Sequence, residues 1–417
     1  MNLLKLIQFL IISIILCSCV STKTALKNYN SAEYAEAANK FKKVLKNNDA
    51  EGNFLLAESL RKSNQLWKSE KYYEDAIKSG YRNEIAYYYL SLAIKSNGNY
   101  DKADSLINVF LKNGKNKDVI KLMKNESLYI SNLRKYPDTS YYKVKNLKDL
   151  NTTFAEYSPS YSDGKLYFVS NRSTEKIYKG TGTPFTDLYE IKTKGAIVDI
   201  NSLKRLEDNI NEEQVNEGSI TFSGDGQYMI FAKGNNGKSS GRNSVDLYFS
   251  RYRRNGWTNP RLLNVNTSRS WDSTPFLSKD GKTLYFSSNR AKGFGGTDIY
   301  KANVNRRGRW INIQNLGPEI NTPGNELFPS VTEDGRLYFS SDNHEGFGGL
   351  DIFVASRRGG EITITNPGKP LNSRGDDFGV NPFNNTRGFF TSNRDGGSGD
   401  DDISVSYTHL TLPTKNE

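Results

Sequence analysis

The sequence has few of the residues that support redox, metal and nucleophilic chemistry. Its two cysteines, Cys17 and Cys19, both lie close to the N-terminus. The rest of the chain therefore has no disulfide and no thiolate metal site. The two histidines, His344 and His409, are too few for a zinc site of several histidines and argue against a histidine-based triad. The sequence predicts no metal and no cofactor.

Charge of one sign is only moderately in excess. The chain has 57 Lys and Arg against 46 Asp and Glu, a formal net charge of +11 over 417 residues. This balance suits an acidic partner. The export signal described next argues against nucleic acid as that partner.

Residues 1–19 have the features of an export signal. Lys5 supplies a short basic region, and Leu6 to Leu16 is an apolar run too short to span a bilayer. The segment ends Leu16-Cys17-Ser18-Cys19 and resembles a bacterial lipobox, with a small residue immediately before Cys19. Cys17 fits poorly because bulky Leu16 precedes it. We predict a lipid on Cys19 that holds the protein at the outer membrane, facing the periplasm; a plain cleaved signal peptide is the alternative.

Residues 20–136 change to helical periodicity. Ala37, Phe41 and Val44 are followed 32 residues later by Ser69, Tyr73 and Ala76, and 34 residues after those by Ala103, Ile107 and Phe110. This period, with a small residue where two helices would cross, resembles tetratricopeptide repeats. Residues 117–135 predict a capping helix, and Pro137 ends the pattern. A generic helical bundle is the alternative.

Residues 141–407 contain five copies of one β-rich phrase. Asp280-Gly281 supplies a tight turn, Leu284-Tyr285-Phe286 a buried strand, and Asp298-Ile299-Tyr300 the next strand. Asp187, Asp246, Asp298, Asp351 and Asp402 begin this last strand in successive copies, at intervals of 59, 52, 53 and 51 residues. A β-rich repeat of about 50 residues indicates propeller blades. The fold class is therefore an α domain followed by an all-β, five-bladed propeller.

Linking phrases predict how the propeller closes. Asn211, Asn266, Asn321 and Asn372 mark the ends of blades one to four. A further copy of the fourth-strand phrase, residues 141–148, precedes blade one, whereas blade five ends after its third strand. We predict that residues 141–148 complete blade five, because closure removes exposed sheet edges. Residues 408–417 match no repeat, and we interpret them as a non-native tail on a truncated chain.

The domain order adds a family resemblance. A lipobox, helical repeats, and blades with Asp-Gly-Lys-x-Leu-Tyr-Phe and Gly-Gly-x-Asp-Ile-Tyr resemble the OmpA-family outer-membrane lipoproteins of Bacteroidetes with TolB-like blades, including PorE-like members. The resemblance implies a periplasmic scaffold bound to an outer-membrane or periplasmic protein complex, in envelope anchoring or type IX secretion. It also implies contact with peptidoglycan through a C-terminal domain absent from this sequence.

Motifs that suggest catalysis or metal binding are weak. Gly237-Lys238-Ser239-Ser240-Gly241 matches a nucleophile-elbow pattern, but it lies between β-strands instead of between a strand and a helix. Asp400-Asp401-Asp402 could hold calcium, although the spacing is not that of a known calcium loop. The aspartates that recur in every blade are expected to cap loops or to pair with Arg172, Arg290 or Arg394. No catalytic residue and no enzymatic activity is predicted.

Two departures from the repeat point to binding surfaces. Ser173–Phe185 and Gly234–Ser244 are insertions between the second and third strands of blades one and two. On the opposite rim, three neighbouring blades carry arginine pairs at the turn after the third strand: Arg253 and Arg254, Arg306 and Arg307, Arg357 and Arg358. The sequence predicts a non-enzymatic scaffold that binds proteins through its helices and propeller rims. The alternatives are a surface glycan-binding lipoprotein or the propeller part of a truncated hydrolase.

Overall fold

The described chain is a run of helices followed by a propeller. The computed structural model describes residues 21–46, 48–135, 142–234, 245–254, 256–268, 270–384 and 386–408. Seven α-helices come first in these residues, and twenty-four β-strands follow. Among the described helices, none is both long enough and apolar enough to cross a membrane.

The helices follow one another in short steps, and side chains cap their first turns. The Asp49 carboxylate accepts a hydrogen bond from the Gly52 N–H at 2.8 Å, and Asn99 and Asn116 cap two later helices in the same way. The helices are α1 Thr22–Asn30, α2 Tyr34–Val44, α3 Ala50–Lys62, α4 Glu70–Lys78, α5 Ile85–Ser96, α6 Tyr100–Asn113 and α7 Lys117–Leu133.

Small residues lie where consecutive helices pack. Ala37, Ser69 and Ala103 are completely buried, as the periodicity predicts, and Phe41 and Phe110 are buried as well. Small side chains let helix backbones approach closely, and the aromatic rings fill the remaining space. The helical N-terminal part is confirmed; its assignment to tetratricopeptide repeats stays a prediction.

The strands form five antiparallel sheets that follow one another around a ring, which confirms the five-bladed propeller. Blade one comprises β2 Glu156–Ser162, β3 Lys165–Ser170, β6 Asp187–Lys194, β7 Ile197–Val198 and β8 Lys204–Arg205. Its insertion forms a small hairpin of β4 Ile177–Tyr178 and β5 Thr183–Pro184. Blade two comprises β9 Asn216–Phe222, β10 Tyr228–Gly234, β11 Val245–Arg253, β12 Gly256–Trp257 and β13 Arg261–Leu262.

Blades three to five have four strands each. Blade three comprises β14 Asp272–Leu277, β15 Thr283–Ser288, β16 Asp298–Val304 and β17 Trp310–Asn315. Blade four comprises β18 Glu326–Val331, β19 Leu337–Ser341, β20 Asp351–Arg358 and β21 Glu361–Thr365. Blade five comprises β22 Asp377–Asn384, β23 Arg387–Ser392, β24 Asp402–Thr408 and, from before blade one, β1 Tyr142–Asn146.

Blade five joins the two ends of the propeller. Strand β1 pairs antiparallel with β24, with Val144 opposite Ser406 and Asn146 opposite Ser404. Blade five thereby obtains its fourth strand from the segment that precedes blade one. This pairing satisfies the backbone groups of β24 that would otherwise form an open edge.

The repeated phrase forms the turn and the core of each blade. Gly164, Gly226, Gly281 and Gly335 have positive φ in the hairpin between the first two strands, a conformation that favours glycine. A phenylalanine at the same position of the second strand is buried in every blade: Phe168, Phe231, Phe286, Phe339 and Phe390. In blade one the next residue, Val169, points to the other face and is buried as well, so both faces of that strand are covered.

The side chain of each linking asparagine forms hydrogen bonds with the third strand of a blade, as the backbone of a neighbouring strand would. The Asn321 side chain accepts the Ile299 N–H at 2.8 Å and donates to the Ile299 carbonyl at 3.1 Å, so its amide imitates a peptide group. The same two bonds join Asn211 to Leu188, Asn266 to Leu247, Asn372 to Ile352 and Asn151 to Ile403. Each blade thus holds the chain segment that leads to the next blade.

Candidate functional site

The propeller has two faces with different loops. The upper face is defined here by the loops from second to third strands and from one blade to the next. The lower face is defined by the hairpins between first and second strands and by the turns after the third strands. The helices contact the upper face, and the predicted arginine pairs lie on the lower face.

Helices α5, α6 and α7 contact the upper face at blade four. The Tyr100 hydroxyl donates to the Phe347 carbonyl at 2.9 Å, and the Asn132 amide donates to the Glu345 carboxylate at 3.0 Å. The Asn343 amide donates in turn to the Tyr88 hydroxyl at 3.2 Å. Three consecutive helices therefore bind one short loop of the propeller, residues 342–347.

Helix α2 contacts the upper face at blade one. The backbone N–H of Ala35 donates to the Gly180 carbonyl at 3.1 Å, and Lys179 forms an ion pair with Glu33 at 3.4 Å. These contacts use the insertion 173–185 that the sequence singled out as a binding surface. The helices thus form a layer, called the helical layer below, attached to the upper face at blades one and four.

Blade five lies between these two attachment points. Partial burial raises the pKa of Asp400 in blade five, and the nearby positive charge of Lys68, just before α4, opposes the rise. Burial raises the pKa of Asp342 in blade four, and the charge of Arg61 on α3 opposes it. The helical layer therefore brings positive charge to the acidic part of the upper face.

The central channel is narrow and lined with hydroxyl groups. Residues from the five inner strands, among them Ser158, Thr221, Thr274, Ser330 and Asn381, surround a cavity of about 30 Å³. This volume holds one or two water molecules and is far too small for a sugar. Buried Ser330 has no partner for its hydroxyl among the described residues.

Polar side chains in this channel also connect neighbouring blades. The Thr221 hydroxyl of blade two accepts the Leu277 N–H of blade three at 3.0 Å, and the Thr274 hydroxyl of blade three accepts the Phe328 N–H of blade four at 3.2 Å. The hydroxyl groups of the channel therefore have a structural role, and they satisfy backbone groups left unpaired by bulges in the inner strands.

In every blade a buried carboxyl group lies at the first or second residue of the inner strand, next to the upper face. Arg172 pairs with Glu156, Arg290 with Asp272, and Arg394 with Asp377. Lys233 lies 3.5 Å from Glu217 in blade two. Glu326 in blade four is bound only by Thr322 and Ser341 among the described residues. In blades one, three and five the arginine thus neutralises the buried carboxylate.

Two of these carboxyls have pKa values raised to near neutrality. Burial raises the pKa of Glu217 to about 8, although backbone hydrogen bonding and Lys233 lower it in part. Burial raises the pKa of Glu326 to about 7, against the hydrogen bonds from Thr322 and Ser341. Both side chains are fully inaccessible to solvent.

Three of the aspartates that recur in the blades, Asp298, Asp351 and Asp402, cap loops. The Asp298 carboxylate accepts the backbone N–H groups of Phe294 and Gly295 at 2.7 and 3.2 Å. Asp351 and Asp402 accept backbone N–H groups in the same way, whereas Asp187 binds Arg205 through two bonds of 3.0 Å. The expected alternative pairing with Arg172, Arg290 or Arg394 is wrong, because those arginines bind the inner-strand carboxylates.

Metal binding at Asp400-Asp401-Asp402 finds no support in the described residues. No group of three or more His, Cys, Asp or Glu side chains there has an arrangement that could hold a metal ion. Asp402 instead accepts the amide of Asn146 at 2.7 Å, which helps to hold β1 in blade five. The third aspartate of this run is therefore structural.

The arginine pairs of the lower face are exposed. Arg253, Arg254, Arg306, Arg307 and Arg357 all have exposed side chains, and among the described residues none of them forms an ion pair or a side-chain hydrogen bond. The side chain of Arg358 lies outside the described set. By contrast, Lys279 and Glu333 of the same face form an ion pair between blades three and four.

Several sequence-predicted features lie outside the described residues. They are the lipidation site Cys19, the motif Gly237–Gly241 within the insertion of blade two, His409 and the rest of the tail to residue 417; the first residue of the predicted tail, Thr408, belongs to β24. The other histidine, His344, packs edge-on against Phe339 at 5.4 Å, and its Nε2 lies 2.9 Å from the Ile320 carbonyl. Burial lowers the pKa of His344, so its ring is neutral at pH 7.

The contact loop 342–347 of blade four was not predicted from the sequence. A signal for it is present: Arg172, Arg290 and Arg394 each follow the central phenylalanine of their blade by four residues, whereas blade four has Asn343 there and blade two has Asn235. The departure in blade four is therefore visible in the sequence. Its meaning depends on the helical layer, which only the tertiary structure brings to this loop.

Neither a protein-family model nor a curated protein sequence matches the chain. Among solved structures, a xylan β-1,4-xylosidase from Bacillus halodurans aligns with 13% identity over 61% of this chain and 53% of its own, with a TM-score of 0.40. A β-xylosidase/α-arabinofuranosidase from a compost metagenome aligns with 10% identity over 65% and 96%, TM-score 0.40. A Bacillus subtilis arabinanase aligns with 11% identity over 61% and 94%, TM-score 0.38.

These similarities correct one prediction. The chain spans about half the length of the Bacillus halodurans enzyme, and the likeness is one of fold. All three neighbours are nevertheless enzymes, so the prediction that this chain is not an enzyme is wrong as an inference from its propeller. A blade repeat with few histidines and cysteines does not exclude catalysis, because carboxylates alone suffice for glycoside hydrolysis.

Proposed function

We propose that this chain is a lipid-anchored protein of the outer membrane, facing the periplasm, that binds an acidic surface of a protein partner through the lower face of its propeller. The observation that carries the proposal is the set of five exposed, unpaired arginines on three neighbouring blades. A folded protein gains little from unpaired surface charge, whereas such charge accelerates encounter with a partner of opposite sign.

Two features of the sequence support the rest of the proposal. The lipobox at Cys19 supplies the membrane anchor, which acyl chains rather than a spanning helix would provide. The helical layer resembles tetratricopeptide repeats, which stack into surfaces that bind other proteins. The resemblance to Bacteroidetes lipoproteins suggests a complex in envelope anchoring or type IX secretion, with peptidoglycan bound through a further C-terminal domain.

Charge reversal tests the lower face. Changing Arg253, Arg254, Arg306, Arg307, Arg357 and Arg358 to Glu should weaken co-purification of crosslinked partners, most strongly at low ionic strength, because salt screens exposed charges. The matched control changes six exposed lysines of the helical layer to Glu, with the same change in net charge: Lys42, Lys43, Lys46, Lys112, Lys121 and Lys124. Equal partner yield from wild type and arginine variant would refute the proposal.

A second candidate is a role in carbohydrate hydrolysis. The observation that favours it is Glu326, a carboxyl with a pKa of about 7 at the upper face. A glycosidase needs one such carboxyl as a proton donor and a second carboxylate nearby. Glu326 is fully buried, so this function requires a movement that exposes its carboxyl group to the substrate.

Assays with aryl glycosides and xylo- or arabino-oligosaccharides test this candidate. Activity that is lost in Glu326→Gln and kept in Glu361→Gln would establish it, since Glu361 is exposed on the lower face. Absence of hydrolysis by the wild-type chain over several pH values would remove it.

A further inference from the structure

Blade four lacks the internal ion pair of the other blades. The residue four positions after the central phenylalanine is an arginine in blades one, three and five, and each of these binds the carboxylate of its own inner strand. Blade two uses Lys233 for the same purpose. Blade four has Asn343 at the arginine position, and its inner-strand carboxyl, Glu326, has no basic partner among the described residues.

The next residue, His344, takes over the other contacts of the missing arginine. In blade three, the Arg290 guanidinium lies 4.9 Å from the centre of the Phe286 ring and donates to the Val265 carbonyl at 3.2 Å. In blade four, the His344 ring packs on Phe339 and its Nε2 meets the Ile320 carbonyl. Blade four therefore keeps the packing and the carbonyl contact, and it loses the bonds that the guanidinium makes to the carboxylate and to the serine of the second strand.

The exchange leaves Asn343 free to face the helical layer. Its amide donates to the Tyr88 hydroxyl of α5, and the loop that it begins also binds Tyr100 of α6 and Asn132 of α7. The corresponding guanidinium groups of blades one, three and five are turned into their own blades by their carboxylates. An arginine at position 343 would be drawn inward to Glu326 in the same way, because a charge-assisted bond is stronger than a neutral one.

We propose that loop 342–347 of blade four is a dedicated docking site for the helical layer, and that the Asn343-His344 pair determines that the layer binds this blade. The partner chemistry is a helix face that presents neutral hydrogen-bonding groups, the Tyr88 and Tyr100 hydroxyls and the Asn132 amide. The proposal goes beyond the proposed function, because it depends neither on the lipid anchor nor on the arginines of the lower face.

The test restores the sequence of blade three in blade four. The double variant Asn343→Arg, His344→Ala reproduces Arg290-Ala291, and it should pair with Glu326 while releasing Tyr88. We expect hydrogen exchange of α5 to α7 in the full chain to accelerate roughly three- to ten-fold, the effect of losing one ordinary hydrogen bond on a local opening equilibrium. The propeller should retain its cooperative thermal unfolding.

The matched control makes the reverse exchange in blade three. Arg290→Asn, Ala291→His changes the same residue types in a blade without a hydrogen bond to the helices among the described residues, so exchange of α5 to α7 should stay at the wild-type rate. Tyr88→Phe removes only the hydroxyl that accepts the Asn343 amide, and it leaves the propeller sequence intact. Hydrogen exchange of α5 should be faster in Tyr88→Phe than in wild type, as in the blade-four double variant.

These variants decide the proposal together. If the blade-four double variant does not fold, as judged by near-ultraviolet circular dichroism, Tyr88→Phe gives the answer alone. Wild-type exchange of α5 to α7 in the folded variants would overturn the proposal. Equal acceleration in the blade-three control would overturn it as well, because the effect would then reflect general loosening of the propeller.

Discussion

The side-chain amide of Asn151 pairs with both backbone polar groups of Ile403, a residue 252 positions further along the chain. Asn151 lies just after β1, and Ile403 lies in β24, so this pair fastens the beginning of the propeller to its end. Four other asparagines make the same pair of bonds within or between consecutive blades. Among these asparagines, only Asn151 joins the beginning of the propeller to its end.

Asn151→Ala should therefore destabilise the propeller strongly. The substitution leaves the buried N–H of Ile403 unsatisfied, whereas the Ile403 carbonyl keeps the Leu147 N–H as a donor at 3.0 Å, so the loss is roughly 1–3 kcal/mol of unfolding free energy. Chemical denaturation measures this loss. Asn266→Ala removes the equivalent bonds to Leu247, 19 residues away, and should leave exchange of β1 and β24 unchanged. Faster exchange of β1 in both variants would contradict a special role for Asn151.

Glu326 should make stability fall as the pH rises. Its pKa is about 7 in the folded chain and 4.5 for the free side chain, so between these pH values the folded state holds a proton that the unfolded state has released. The unfolding free energy therefore decreases as the pH rises from about 4.5 to about 7, by about 1.4 kcal/mol for each unit of pKa difference.

Glu326→Gln should flatten this part of the pH dependence and should unfold at a higher temperature than wild type at pH 8. Thermal unfolding monitored from pH 5 to pH 8 provides the measurement. Glu156→Gln serves as the comparison, because it removes the partner of Arg172 and should destabilise the chain instead. A wild-type pH profile in Glu326→Gln would show that Glu326 does not titrate in this range.

Lys95 and Glu126 form a buried ion pair that joins α5 to α7. Their charged atoms lie 2.7 Å apart, and their side chains are only 4% and 5% exposed. Lys95→Met should lower the unfolding free energy of the helical layer by about 3–5 kcal/mol, because it leaves Glu126 buried without its partner. The double variant Lys95→Met, Glu126→Leu should recover most of the loss. Denaturation followed by far-ultraviolet circular dichroism distinguishes these outcomes; additive losses in the double variant would mean that the two charges do not interact.

Cys19→Ala should abolish acylation and release the protein from membranes. The reason is chemical, since the thiol of Cys19 is the group that would carry the lipid at the lipobox. Labelling with a radioactive or clickable fatty acid, followed by membrane fractionation, measures both effects. Cys17→Ala is the control and should remain labelled. Labelling that survives in Cys19→Ala would remove the anchor from the proposed function.

Several local features were predictable because they depend on neighbours in sequence. The Asp-Gly turns need positive φ at Gly281 and its equivalents, and the phenylalanine runs need burial, so both are visible as a repeat of about 50 residues. Helix caps such as Asp49 and crossing positions such as Ala37 follow from helical geometry in the same way. The sequence alone determined that the chain has a helical part followed by five blades.

Tertiary structure decided what each repeated polar residue binds. From sequence, Asp298 was expected either to cap a loop or to pair with an arginine such as Arg290. In the folded blade, Asp298 caps a loop and Arg290 binds Asp272, which begins a different strand. Residues separated by many positions meet only when the sheet forms, and short-range patterns do not specify that meeting.

The contact between the two parts of the chain was also beyond the sequence. Asn343 is visible as an exception in the repeat, but nothing local connects it to Tyr88, 255 residues earlier. The same holds for the assignment of the insertion in blade one to α2. Sequence periodicity determines elements and their repetition, because backbone preferences and burial act over a few residues. Which surfaces then meet depends on shape and charge assembled from distant segments, and only the tertiary structure brings these together.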